Sequence, residues 1–377
     1  MKVKSMKRII AFMLIGSVLA LFPTVSADTS NEIYDEIYNE SGMSEITANL
    51  DNDTTDILTE LGVDPENFNS FLEMDTKNLW SVLMDMLGRN ITAPLTAFST
   101  ALAVILICSL LGDMWSNGIV INQTYNYVSL LSISSIVLMP LTTTVENSIA
   151  GIKTISGFML TFVPVYGGLL LYSGNATTSA LYQSLMLGMS EAVSQISGFI
   201  IAPMISVFIC VGMASAISGI DGAYKFSLMI KNVANWILGL VMTLFTGFLS
   251  VQSFVGKSAD NLAIKTTRFF VGSTVPVVGG YLSETLTTLT AGVGLLRASA
   301  TAWCILALGV MVLPLVIELF LWRTVLNLLS AISEMLSVSE ISKLFNVSSV
   351  AIGFLIAILL CISAMFILSL VVIKAGI

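Results

Sequence analysis

The chain has 377 residues, 55% of them hydrophobic and only 11% charged, with a formal net charge of −8 and a mean hydropathy of +0.91. A soluble protein carries about 25% charged residues, so this composition cannot cover a water-exposed surface; with apolar residues in long runs rather than in alternation, it predicts an all-α integral membrane protein, a polytopic helical bundle. The absence of histidine excludes His-based acid–base catalysis, Ser-His-Asp triads and His-ligated metal, and no G-x-x-x-x-G-K-S/T run marks a phosphate loop for ATP hydrolysis.

Residues 1–27 carry Lys2, Lys4, Lys7 and Arg8, then an apolar stretch from Ile9 to Phe22 and the small residues of Val25-Ser26-Ala27. That order is the one a secretory signal peptide requires, and an uncleaved anchor is the alternative. Residues 28–89 hold fifteen acids against Lys77 and Arg89, so the net negative charge belongs to this one zone. It is expected to be an exported helical arm. Ile57, Leu58 and Leu61 mark one of its short amphipathic helices, broken at Gly62-Val63-Asp64-Pro65; Ile33, Tyr34, Ile37 and Tyr38, and Phe68, Phe71 and Leu72, mark others. Their apolar faces are too thin for an independent core, so they are expected to lie on the membrane domain, the headgroup layer or a partner, with a solvated helical arm as the alternative.

Residues 90–377 form the membrane domain. Its first span is expected at 91–111, since about twenty apolar residues cross a bilayer core. Further spans are expected at 125–144, 196–217, 233–252, 300–321 and 348–373. Two more apolar segments, 155–172 and 269–281, are interrupted by Pro and Gly and leave the number of full crossings between six and eight. Val325 to Leu336 has apolar residues at helical spacing with Glu334 on the other side. Cys108, Cys210, Cys304 and Cys361 fall in four different spans and lack metal-site spacing; they are read as small packing residues, with no cofactor or metal expected.

An internal tandem repeat is the most informative pattern. Ile152-Lys153-Thr154 leads through Phe158 to Val163-Pro164-Val165-Tyr166-Gly167-Gly168, and Ile264-Lys265-Thr266 leads through Phe270 to Val275-Pro276-Val277-Val278-Gly279-Gly280. The offset is 112 residues without a gap. Pro203 and Pro314, and Lys231 and Lys343, extend the register. Repeat A then covers about 125–217 and repeat B about 233–321. Lys153 and Lys265 are the basic entries to the broken segments. Pro164, Gly167, Gly168, Pro276, Gly279 and Gly280 are candidate pathway or hinge positions, because proline removes a backbone donor and paired broken segments in two halves of a membrane protein point to a transport route. Two membrane hairpins that merely pack would carry the same signature. A segment 155–172 that dips in and returns through Ala176 would make the halves parallel; a full crossing would invert them.

Embedded charges give a second set of candidates. Glu318 lies inside a span, where a carboxylate is costly unless it faces protein or water, and Arg323 follows five residues later, close enough to pair with it or to snorkel. Glu146, Glu191, Glu284 and Arg297 fall near segment ends. The basic residues of the later connections cannot all be placed on one side by counting positive charges, so topology stays open.

The signal sequence, the acidic arm and the paired Val-Pro-Val-x-Gly-Gly segments resemble the stage III sporulation protein AE family of endospore-forming bacteria. The resemblance covers essentially the whole chain. It implies a multispanning protein of the mother-cell membrane around the forespore. It further implies one part of a secretion-like channel built with the other stage III AA–AH proteins and stage II protein Q, sustaining late forespore gene expression, with a partner supplying the ATPase. The family has no assigned catalytic residues to carry over. Lipid is the expected surrounding, and no nucleic-acid partner is expected. The residues alone also fit a stand-alone secondary transporter of a small solute, with its path between the repeats and Glu318 as a coupling group.

Overall fold

The computed structural model describes residues 46, 50–64, 76–114, 119–218, 221–274, 279–336 and 338–376. The signal segment and the arm's other amphipathic stretches lie outside them. Among the described residues there is no β-strand. The helices are α1 (Asn52–Glu60), α2 (Thr76–Met114), α3 (Ile119–Tyr172) and α4 (Ala176–Ile196). A π-helical turn (Ser197–Ile201) leads into α5 (Ala202–Ser218), followed by α6 (Asp221–Thr274), α7 (Gly279–Met335) and α8 (Ser339–Gly376). Six stretches are long and apolar enough to cross a membrane: Ser81–Leu110, Val128–Tyr172, Ala176–Gly212, Leu228–Thr266, Leu296–Met335 and Ser339–Lys374. The protein is an all-α polytopic membrane protein.

α1 is amphipathic as its apolar spacing requires. Ile57 and Leu58 are buried, and the helix packs on α2 and α7. It ends where Gly62 takes φ 78°, with Val63 N–H bonded to the Leu58 carbonyl and Gly62 N–H to that of Thr59, a left-handed stop that glycine enters at no steric cost. Arg89 of α2 ties the junction together, pairing with Asp85 at 2.6 Å and with Glu60 at 3.3 Å.

The expected break at Pro164 does not occur. α3 runs through Pro140, Pro164, Gly167 and Gly168 as one helix of 54 residues, about 80 Å long at 1.5 Å per residue. The segments 125–144 and 155–172 are therefore two halves of one helix. Pro164 sits on the outward face, and the residues around it lock the helix from the other side. Phe158 stacks on Phe162 (centroids 6.1 Å apart), Phe162 on Tyr166 (5.5 Å), and Tyr166 meets Tyr182 edge-on (5.5 Å). Side-chain packing of this kind holds a membrane helix past a missing backbone bond. After Tyr172 the chain turns at Ser173-Gly174-Asn175 into α4, a reversal that both a dipping segment and a full crossing would share. Around the expected second broken segment, α6 ends at Thr274 and α7 begins at Gly279; Pro276 lies outside the described residues. Near Pro203 the backbone relaxes differently: the π-turn Ser197–Ile201 sits immediately before it, a usual accommodation beside a residue that cannot donate to the helix ladder.

Inside the bilayer no water is displaced when helices pair, so packing and polar contacts hold them together. The register is set by a few close pairs. Thr301 of α7 is hydrogen-bonded to Tyr166 of α3 at 3.0 Å, and Trp303 lies against Phe158. Ser349 of α8 bonds Asn327 of α7 at 2.6 Å, and Ser330 meets Ser342 at 3.0 Å near the turn between these helices. Cys361 of α8 touches Met242 of α6 at 3.8 Å. All four cysteines are free, with Cys304 fully buried in the core.

Candidate functional site

The end of the α3–α4 hairpin is the best-defined polar assembly in the membrane domain. Gly174 takes φ 80°, Asn175 N–H bonds to the Leu170 carbonyl and Gly174 N–H to that of Leu171, so the last turn of α3 closes on itself. The first amides of α4 would then be left without partners. Asp260 of α6 supplies them. Thr177 and Thr178 N–H each donate to one oxygen of its carboxylate at 2.8 Å, which is helix capping performed by another helix. Asp260 is 2% exposed. One turn earlier, a β-carbon on Gly256 would lie 3.0 Å from the Thr178 Cα, so only glycine lets α6 come this close. One turn later, Ile264 lies against Gly174. Gly256, Asp260 and Ile264 thus form one face of α6 on which the hairpin tip rests.

The candidate glycine pair divides into two roles. Gly167 faces α4: its carbonyl accepts from Ser179 Oγ at 2.7 Å, and a β-carbon there would run into Gln183. Gly168 has nothing within 4 Å of such an atom. The first is a helix-contact position and the second an outward one. The same close fit recurs at Gly151 against Leu315, at Gly212 against Val347 and at Gly353 against the Arg323 guanidinium. Gly279 and Gly280 open α7.

Glu318 and Arg323 do not meet. Five residues along a helix turn the side chains about 140° apart, so Glu318 faces α3 and accepts from Thr144 Oγ1 at 3.1 Å, while Arg323 lies over Gly353 of α8. Lys153 and Lys265 are both exposed on their helices. Among the described residues no group of three His, Cys, Asp or Glu side chains could hold a metal ion. A narrow crevice between α5, α6 and α8 is lined by Met204, Phe208, Ile230, Lys231, Ala351 and Phe354 and offers no polar group besides the lysine.

Asp260 and Gly256 escaped the sequence reading. The available signal was local: within α6 every charge between Lys225 and Arg268 is basic except Asp260, and an acid four residues after a glycine in such a helix needs a donor set from elsewhere.

The family model for stage III sporulation protein AE matches residues 66–376, which takes in every helix from α2 to α8. The chain belongs to the stage III sporulation protein AE family. It is 25% identical over 231 residues to the stage III sporulation protein AE of Bacillus subtilis (strain 168), a match spanning 60% of this chain and 57% of that relative. No solved structure matches. The hairpin, its Asp260 cap and the glycine contacts described above therefore fall within the part of the chain that the family model covers.

Proposed function

We propose that this chain is a multispanning, non-enzymatic subunit of a sporulation-specific, secretion-like channel in the mother-cell membrane around the forespore. The observation that carries the reading is the match to the stage III sporulation protein AE family across the whole membrane bundle. The long helices fit it: three of them exceed 50 residues, well beyond what a bilayer core of about 30 Å requires, and offer surface for assembly. Its partners would be the other stage III AA–AH proteins and stage II protein Q, one of them supplying the ATPase, with the acidic arm 28–89 on the exported side. Late forespore gene expression would depend on the assembly.

Deleting the gene and following a late forespore reporter tests this. Loss of the reporter, restored by the full chain and accompanied by co-purification of the stage III proteins, is the expected outcome. A chain that carries a small solute across membranes when expressed alone, and leaves the reporter unaffected when deleted, would instead be a stand-alone transporter.

A further inference from the structure

Two flanks of the bundle at the same depth have opposite character. The Asp260–Thr178 contact fixes one level. Thirteen residues further along α4 comes Glu191, about 20 Å from the tip, and thirteen residues back along α6 comes Gly247. There α6 shows Leu244, Phe248 and Val251 to the outside, Phe248 being 69% exposed. That is a lipid-facing surface. The middle of the α3–α4 hairpin differs: among the described residues no large apolar side chain is exposed between positions 140 and 170 or between 173 and 195, although Leu171 and Tyr172 at the tip and Met139 and Ile196 beyond the far end are. α4 presents Ala180, Ser184, Gly188 and Glu191 at successive turns, and α3 presents Lys153, Gly157 and Pro164. Small residues spaced by four are what membrane helices use to approach one another, and Lys153 and Glu191 put two opposite charges on this flank, whereas α6 carries none between Lys231 and Lys257.

The two charges also match each other across a symmetric contact. The hairpin register, with Gly167 against Ser179 and Gln183, puts Lys153 level with Gln195, one turn from Glu191. Among the described residues, Glu191 accepts from Gln195 at 2.8 Å and no carboxylate pairs with Lys153. We infer that the outward face of the α3–α4 hairpin docks a second copy of this chain. α3 of one copy lies along α4 of the other, and Lys153 of each reaches Glu191 of the other over about 6 Å of helix rise. The contact is two-fold and self-complementary. Lipid keeps the α6 flank. The dimer goes beyond the channel reading and does not depend on it.

The test uses the full chain with its four cysteines removed, in membranes of a host that makes no sporulation proteins, so that its result is independent of the channel assignment. Two differently tagged copies, one Thr161→Cys and one Ser184→Cys, are oxidised together. A disulfide-linked mixed dimer is expected, with none from the control pair of Leu244→Cys and Phe248→Cys on α6. Lys153→Glu or Glu191→Lys alone should lower the yield about three- to tenfold, the range for one interhelical polar contact, and the double exchange should restore it. Equal cross-linking on both flanks, or a double exchange no better than the single ones, overturns the proposal. So does a Ser184→Cys chain that stays monomeric while an impermeant thiol reagent labels it, which would make the face the wall of a water-filled path.

Discussion

Asp260 and Thr178, 82 residues apart in the chain, are joined by a 2.8 Å hydrogen bond from the threonine amide to the carboxylate. The second carboxylate oxygen takes Thr177 in the same way. A helix end inside the membrane domain is thus completed by its neighbour, through a single carboxylate.

Replacing Asp260 with alanine should therefore destabilise the bundle by about 1–2 kcal/mol, the range for losing a helix cap. Asp260→Asn keeps one acceptor oxygen and should cost less. The thermal midpoint of the purified protein in detergent, compared across the three chains, measures the order.

Gly256 should tolerate no side chain. Alanine there meets the Thr178 backbone, and overpacking of a tight contact costs about 1–3 kcal/mol. Limited proteolysis near residues 173–175 should show the hairpin tip opening in Gly256→Ala and staying protected in the unaltered chain.

The adjacent glycines of α3 should respond oppositely to alanine. Gly167→Ala drives a methyl into Gln183, whereas Gly168→Ala enters open space and gains up to about 1 kcal/mol of helix propensity. If both positions were hinges of a pathway, both substitutions would impair sporulation at normal protein levels. Expected instead is loss for Gly167→Ala and normal spores for Gly168→Ala.

Thr144 and Glu318 should be energetically coupled. A double-mutant cycle with Thr144→Val and Glu318→Gln, read from thermal unfolding, should return about 0.6–2 kcal/mol, the size of a polar contact between membrane helices. A value near zero would mean that the carboxylate's depth matters and its partner does not.

The all-α membrane class and its long apolar helices were legible in the sequence because apolar run length is set directly by bilayer thickness; the apolar run 348–373 lies inside the helical stretch Ser339–Lys374. The stop of α1 at Gly62 was legible for a similar reason, since only a few residues enter the left-handed region easily. The continuity of α3 was not. Pro164 and Gly167-Gly168 carry strong local preferences against helix, and what overrides them is the stack of Phe158, Phe162, Tyr166 and Tyr182 from two helices. Whether Glu318 and Arg323 pair was decided by angle around the helix axis, and their neighbours Thr144 and Gly353 lie 174 and 30 residues away in the chain. Asp260 was invisible because its donors belong to a helix whose position no local spacing encodes.

The Asp260 cap also imposes an order on biosynthesis. α3 and α4 leave the ribosome well before residue 260 exists, so the hairpin is made with the opening turn of α4 still lacking its acceptor. Chains released before Asp260 should keep a loosely seated tip, open to protease at Ser173-Gly174-Asn175, and chains released a few residues after it should close. The hairpin's seat in the membrane is thus a late event in synthesis, timed by the arrival of a single carboxylate.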